Sequence, residues 1–118
     1  MANIRDNADS FVAASSSGIA ADIRVKLNSS RKLEVAGASD IEIGVTDYAT
    51  KDGTTPVKVY LTNGGGSFDV VAGDAVAIGA VVKRAANGKV TTGGAGANFG
   101  IALGSAAADG DVIEVYPL

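Results

Sequence analysis

The sequence predicts an all-β domain: a small β-barrel or β-sandwich of two pseudo-repeated halves, with an extended N-terminal arm. Three observations carry this expectation. Short runs rich in Val and Ile alternate apolar with polar residues, the period of a half-buried strand. Turn signals such as Gly73-Asp74, Asn87-Gly88 and Asp109-Gly110-Asp111 punctuate those runs. No apolar run keeps a 3.6-residue period over a helical length, and the most helix expected is one short turn near Ala106-Ala107-Ala108.

The elements follow in chain order. Residues 1–18 read as a flexible arm, with Ile4, Phe11 and Val12 its sizeable apolar residues and Ser15-Ser16-Ser17-Gly18 its joint. A single domain occupies 19–118. Its first strand puts Ile23, Val25 and Leu27 on one face and sends Arg24 and Lys26 to the other. Asn28-Ser29-Ser30 turns the chain into a partner strand with Leu33 and Val35 inward, making a hairpin. The next strand aligns Ile41, Ile43 and Val45. A polar connection leads to a strand in which Val57, Val59 and Leu61 share a face.

Asn63-Gly64-Gly65-Gly66 breaks the chain before a short strand at 68–71. Residues 75–84 and 89–92 form a second hairpin around Asn87-Gly88, because both residues tolerate the positive φ of a tight turn. A small-residue loop at 93–97 precedes a strand at 98–103, and a final strand runs over 111–118, stopped by Pro117.

The halves show the same order of parts, about 19–62 and 75–118. Val25-Lys26 matches Val82-Lys83, and Lys32 matches Lys89 at the same offset. Gly44 matches Gly100, and Val59-Tyr60 matches Val115-Tyr116, at an offset one residue shorter.

Composition narrows the function. Aromatics make up 5% and Trp is absent, so the core is built from small side chains. Burial contributes roughly 25 cal/mol per Å², so contacts with a partner or other copies are expected to share in stability. There is no Cys and no His, which removes disulfides, thiolate nucleophiles, imidazole bases and Cys/His zinc sites. The net charge of −3 argues against nucleic acid as a partner. Arg31-Lys32 and Lys83-Arg84 read as solvated strand ends. No segment is apolar enough to span a membrane, and the polar N-terminus has no hydrophobic signal core, so synthesis in the cytoplasm without export is expected.

No catalytic constellation emerges. The carboxylates fall mostly in turns, where Asp accepts hydrogen bonds from nearby backbone. Asp47 with Asp52, and Asp109 with Asp111, lack the spacing of a calcium loop. The glycine tracts lack the Lys-Ser/Thr of a phosphate loop and the helix a dinucleotide site needs. No enzyme, no cofactor and no metal are expected.

The stretch 43–118 resembles the small head-decoration, or capsid cement, proteins of tailed phages. The resemblance lies in an ordered set: I-G-V-T-D at 43–47, V-A-G-D-A-V at 71–76, N-G-K-V-T-T at 87–92, F-G-I-A-L at 99–103 and A-A-A-D-G-D-V-I-E-V at 106–115. The N-terminal third departs from it, with a Ser-rich arm and a charged hairpin. The resemblance implies a virion protein on the outer capsid surface, partnered with the major capsid protein and cementing neighbouring capsomers. It also implies a homo-oligomer, a trimer before a dimer. Capsid contact is expected from the arm, through Ile4, Arg5, Phe11 and Val12. The competing reading is a glycan- or ligand-binding β module of a tail or fibre, for which Tyr48, Tyr60 and Tyr116 are the available ring platforms.

Overall fold

The computed structural model describes residues 8–62 and 66–118. Among the described residues, ten strands form two five-stranded antiparallel sheets. The first holds β1 (Ala8–Phe11), β2 (Arg24–Leu27), β3 (Leu33–Val35), β4 (Gly44–Thr46) and β5 (Val57–Leu61). The second holds β6 (Phe68–Val71), β7 (Val81–Arg84), β8 (Val90–Thr91), β9 (Asn98–Ala102) and β10 (Val112–Pro117). Their orders are β1-β5-β4-β2-β3 and β6-β10-β9-β7-β8, the same path through five strands taken twice.

Both sheets curl in the same way. Chain leaving the first strand of each meets the strand at the opposite edge: Ala13 bridges Leu33, and Ala72 bridges Val90, both in parallel. Each bridge is secured by a backbone bond of 2.8 Å, Ala14 N–H to Leu33 O and Gly73 N–H to Val90 O. Curling of this kind covers an edge that would otherwise present unpaired backbone groups. Each unit therefore begins with the strand before the hairpin, so β1 and β6 open the two sheets.

Each curled sheet encloses a core. Phe11, Val25, Leu33, Val57 and Val59 fill the first, and Phe68, Val82, Val90, Phe99 and Val115 fill the second. The alternation read from sequence accounts for most of this. Val45 is an exception, since it leaves its own sheet's core and packs into that of the second unit. Val71 crosses the other way and packs against the first core.

The turns use the expected chemistry. Asn87 and Gly88 adopt φ of 61° and 70°, the left-handed pair of a tight hairpin. At the first hairpin Asn28 Oδ1 accepts the N–H groups of Ser30 and Lys32 at 2.9 and 3.0 Å.

Residues 106–108, where at most one helical turn is expected, form a loop in which Ala106 bridges Val76 with two backbone bonds of 2.9 Å. Three details differ from the sequence reading. Residues 8–11 of the expected arm are strand β1, paired along β5, with Phe11 in the first core. Arg24 is fully buried rather than solvent-facing. Ile41 is 81% exposed instead of joining a core face, and Ile43 and Val45 separate, Ile43 against the first core and Val45 in the second. The last two have one cause, because Glu42 turns inward to meet Arg24 and leaves its neighbour outside.

Candidate functional site

Of the four expected contact residues, Ile4 and Arg5 lie outside the described residues. Phe11 is buried, with the Arg31 guanidinium 4.8 Å from its ring centre. Val12 is half-buried, and its carbonyl accepts the N–H of Leu33 at 2.8 Å. Phe11 and Val12 thus serve the fold of the first unit, and neither stands free on the surface.

The most elaborate polar arrangement sits where the two units meet. Arg24 on β2 donates to Glu42 Oε1 at 3.0 Å, and to the carbonyls of Gly37, Ala85 and Lys89 at 3.1, 2.7 and 3.1 Å. Two of those carbonyls belong to the second unit's hairpin. Arg84 on β7 grips the same carboxylate through both oxygens, at 2.8 and 3.1 Å, and donates to Asn98 O at 2.8 Å. Burial lowers the pKa of Arg24, and its bond to Glu42 opposes that shift. A guanidinium supplies several donors in a fixed fork, so it can join one carboxylate and several carbonyls at once. Arg84 is accordingly an anchored ion-pair member, not the solvated strand end that Lys83-Arg84 suggested. Nothing in Val81-Val82-Lys83-Arg84 sets Arg84 apart from its neighbour Lys83 in sequence.

Backbone contacts tighten the same junction. Gly88 N–H donates to Ala36 O at 2.8 Å. A Cβ on Gly88 would lie 2.3 Å from Ile23 Cγ2, so only glycine fits between the units.

Two depressions flank this junction. A groove of about 360 Å³ is bordered by Ile41, Tyr116 and Leu118, with Glu42, Arg84 and Phe99 among its lining residues. A smaller cleft of about 270 Å³ gathers Asp22, Asp47, Asp69 and Glu114 beside Tyr60. Burial, then the charges of Asp69 and Asp47, raise the pKa of Asp22. Among the described residues, no group of His, Cys, Asp and Glu converges as a metal site would require.

Other carboxylates are occupied by their own loops. Asp52 accepts the N–H groups of Thr54 and Thr55 at 3.0 and 2.7 Å, which lowers its pKa. Asp111 accepts those of Ala107 and Ala108 at 2.8 and 3.2 Å. The tyrosines do not gather into a ring platform. Tyr60 packs against the second core beneath Lys58, while Tyr116 is exposed on the other sheet. The geometry supports binding through surfaces; among the described residues no nucleophile and base are brought together.

Residues 5–117 match the phage cement protein family. The chain belongs to that family. Membership makes it a structural protein of the phage that binds the capsid. Its fold is shared with the N base of head fiber gp8.5 of bacteriophage phi29, at a TM-score of 0.73 and 19% identity, covering 94% of each chain. No curated protein sequence matches the chain. The family match takes in both units of the cement protein and the arrangement that joins them.

Proposed function

We propose that this cement protein binds the outer surface of an assembled phage capsid and bridges neighbouring capsomers as a homo-oligomer, a trimer rather than a dimer. The observation that carries the reading is the family match over 5–117, which spans the whole two-unit frame. The structure supports it in kind. Two curled sheets joined by an ion triad carry exposed apolar surface and turn-bound carboxylates, as suits a structural adaptor. Many copies on a symmetric shell gain avidity, so each contact can be weak.

Within this reading, Ile4 and Arg5 make the capsid contact. Phe11 and Val12 contribute by fixing β1, the strand that follows Ile4 and Arg5 in the chain. The protein acts at the virion's outer surface, with the major capsid protein as its partner.

The test is co-sedimentation with expanded, undecorated capsids, using the full chain and a variant lacking residues 1–7. Saturable binding at a fixed copy number, weakened by the deletion, is the expected result. Absence of binding by the full chain overturns the cement reading. Full occupancy by the shortened chain overturns the assignment of Ile4 and Arg5 alone.

A further inference from the structure

The turn that inserts between the two units carries the dipeptide Asn87-Gly88. Asn-Gly is the most reactive pair for loss of a side-chain amide, because glycine has no side chain to shield its backbone nitrogen. In that reaction the Gly88 nitrogen gives its proton to a base in the water and attacks Cγ of Asn87. The N–Cγ bond forms, the Cγ–Nδ2 bond breaks, and Nδ2 leaves as ammonia after taking a proton from water. The succinimide that results takes up water and opens to Asp or to an isoaspartyl residue, which has an extra carbon in the main chain.

The folded junction withholds what this chemistry needs. The Asn87 side chain is exposed, so water reaches its amide. Gly88, however, is buried, and its N–H donates to Ala36 O of the first unit at 2.8 Å, so a base does not reach the proton. Asn87 is held at φ 61° and ψ 29°. Ring closure needs the Gly88 nitrogen on the same side of the Cα–C bond as Cβ, and that ψ puts it close to the opposite side, away from an attack geometry. Arg24 fixes the turn from both flanks, donating to Ala85 O and Lys89 O at 2.7 and 3.1 Å. The Ala36 and Arg24 bonds all cross from one unit to the other.

We propose that Asn87 is a deamidation site gated by the junction: it reacts only in molecules whose units have parted there, and the isoaspartyl product bars them from closing again. Local opening is the route by which buried N–H groups of native proteins meet water. The bar on closing follows from the fit of Gly88. A Cβ added there would lie 2.3 Å from Ile23 Cγ2 and 2.8 Å from Arg24 O, so a main chain lengthened just before it has no room to shift. The gate depends on the junction alone, whatever the protein binds.

Mass spectrometry of the tryptic peptide 85–89 from the aged full chain reads the reaction. It separates Asn87 from the second Asn-Gly pair, Asn63-Gly64, which falls in the peptide 59–83. At mildly alkaline pH, Asn87 should convert at least about a hundredfold more slowly in the protein than in a synthetic peptide of residues 83–92. Glu42→Gln, which strips Arg24 of its carboxylate, should speed conversion in the protein at least about tenfold. Amide hydrogen exchange at Gly88 of the wild type keeps the test decisive if that variant unfolds. Its slowing should match that of deamidation, since one opening exposes both groups. Conversion at the peptide rate overturns the gate, as does fast exchange at Gly88 beside slow conversion. A folded but destabilised Glu42→Gln variant that converts no faster also overturns it. Isoaspartyl chains recovered by ion exchange should melt below an Asn87→Asp variant, which adds the same charge on an unchanged main chain; equal melting overturns the bar on closing.

Discussion

Glu42 stands 3.0 Å from Arg24 within the first unit, neither side chain more than 2% exposed, and its carboxylate reaches across the junction to hold Arg84. One acidic group thus compensates two guanidinium groups from different sheets. Removing one partner of a buried ion pair typically costs about 3–5 kcal/mol, because the other charge is left unpaired. Glu42→Gln should therefore destabilise the protein by about that much. Urea unfolding checks the magnitude, and a loss under 1 kcal/mol would show that water replaces the carboxylate.

Deleting the aromatic group of Phe11 should be costly for a residue at first sight part of an arm. It is 9% exposed and lies in the first core. Phe→Ala in a core costs about 3–5 kcal/mol, so Phe11→Ala should fall at the lower end of that range. Loss of residues 1–17 should lower the melting temperature for the same reason, since it removes β1 entire. A deletion that left thermal unfolding unchanged would place β1 outside the cooperative unit.

Gly44 and Gly100 are equivalent in both position and surroundings. A Cβ on Gly44 would sit 2.2 Å from Tyr60 O and 2.6 Å from Val59 Cγ1. On Gly100 it would sit 2.4 Å from Tyr116 O and 2.6 Å from Val115 Cγ1. Overpacking against backbone costs about 1–3 kcal/mol, and each Gly→Ala variant should lose an amount near the top of that range. Denaturant midpoints of the two variants should shift together; one that tolerated alanine would mean its strand can move away.

Asp22 gives a pH-dependent prediction. Burial, then Asp69 and Asp47, raise its pKa above the usual 3.8, so the fold penalises its charged form. Stability from this group is greatest below the unfolded value and falls as pH rises through the folded one. Asp22 also adopts φ of 59°, a conformation Asn tolerates well. Asp22→Asn should raise the melting temperature by a few degrees near pH 7, with the gain vanishing as the medium becomes acidic. A scan of melting temperature from pH 3 to pH 8 reads the effect. Asp52 should behave oppositely, since the backbone N–H groups of Thr55 and Thr54 lower its pKa and its stabilisation is lost as pH falls.

By itself the sequence determined the strands, the two hairpins and the repeated order of parts. These are local matters: alternation at Val57, Val59 and Leu61 fixes a buried face, and Asn87-Gly88 fixes a turn, whatever lies across the molecule. The family resemblance was legible for a related reason, because its signature is a string of such turns and strand ends at set spacing. The tertiary structure alone decided the role of groups that act between units. Arg24 alternates as a solvent-facing residue would, yet it is buried, because a carboxylate and three carbonyls distant in sequence supply its partners. Phe11 opens the short apolar run Phe11-Val12-Ala13-Ala14, which suits a free arm as well as a strand, and only pairing along β5 carries it into a core. Likewise Val45 and Ile101 occupy equivalent positions, and only the packing of one unit against the other makes the first buried and leaves the second on an open face. Period and turn chemistry are properties of neighbouring residues, whereas burial depends on what the rest of the chain brings to each face.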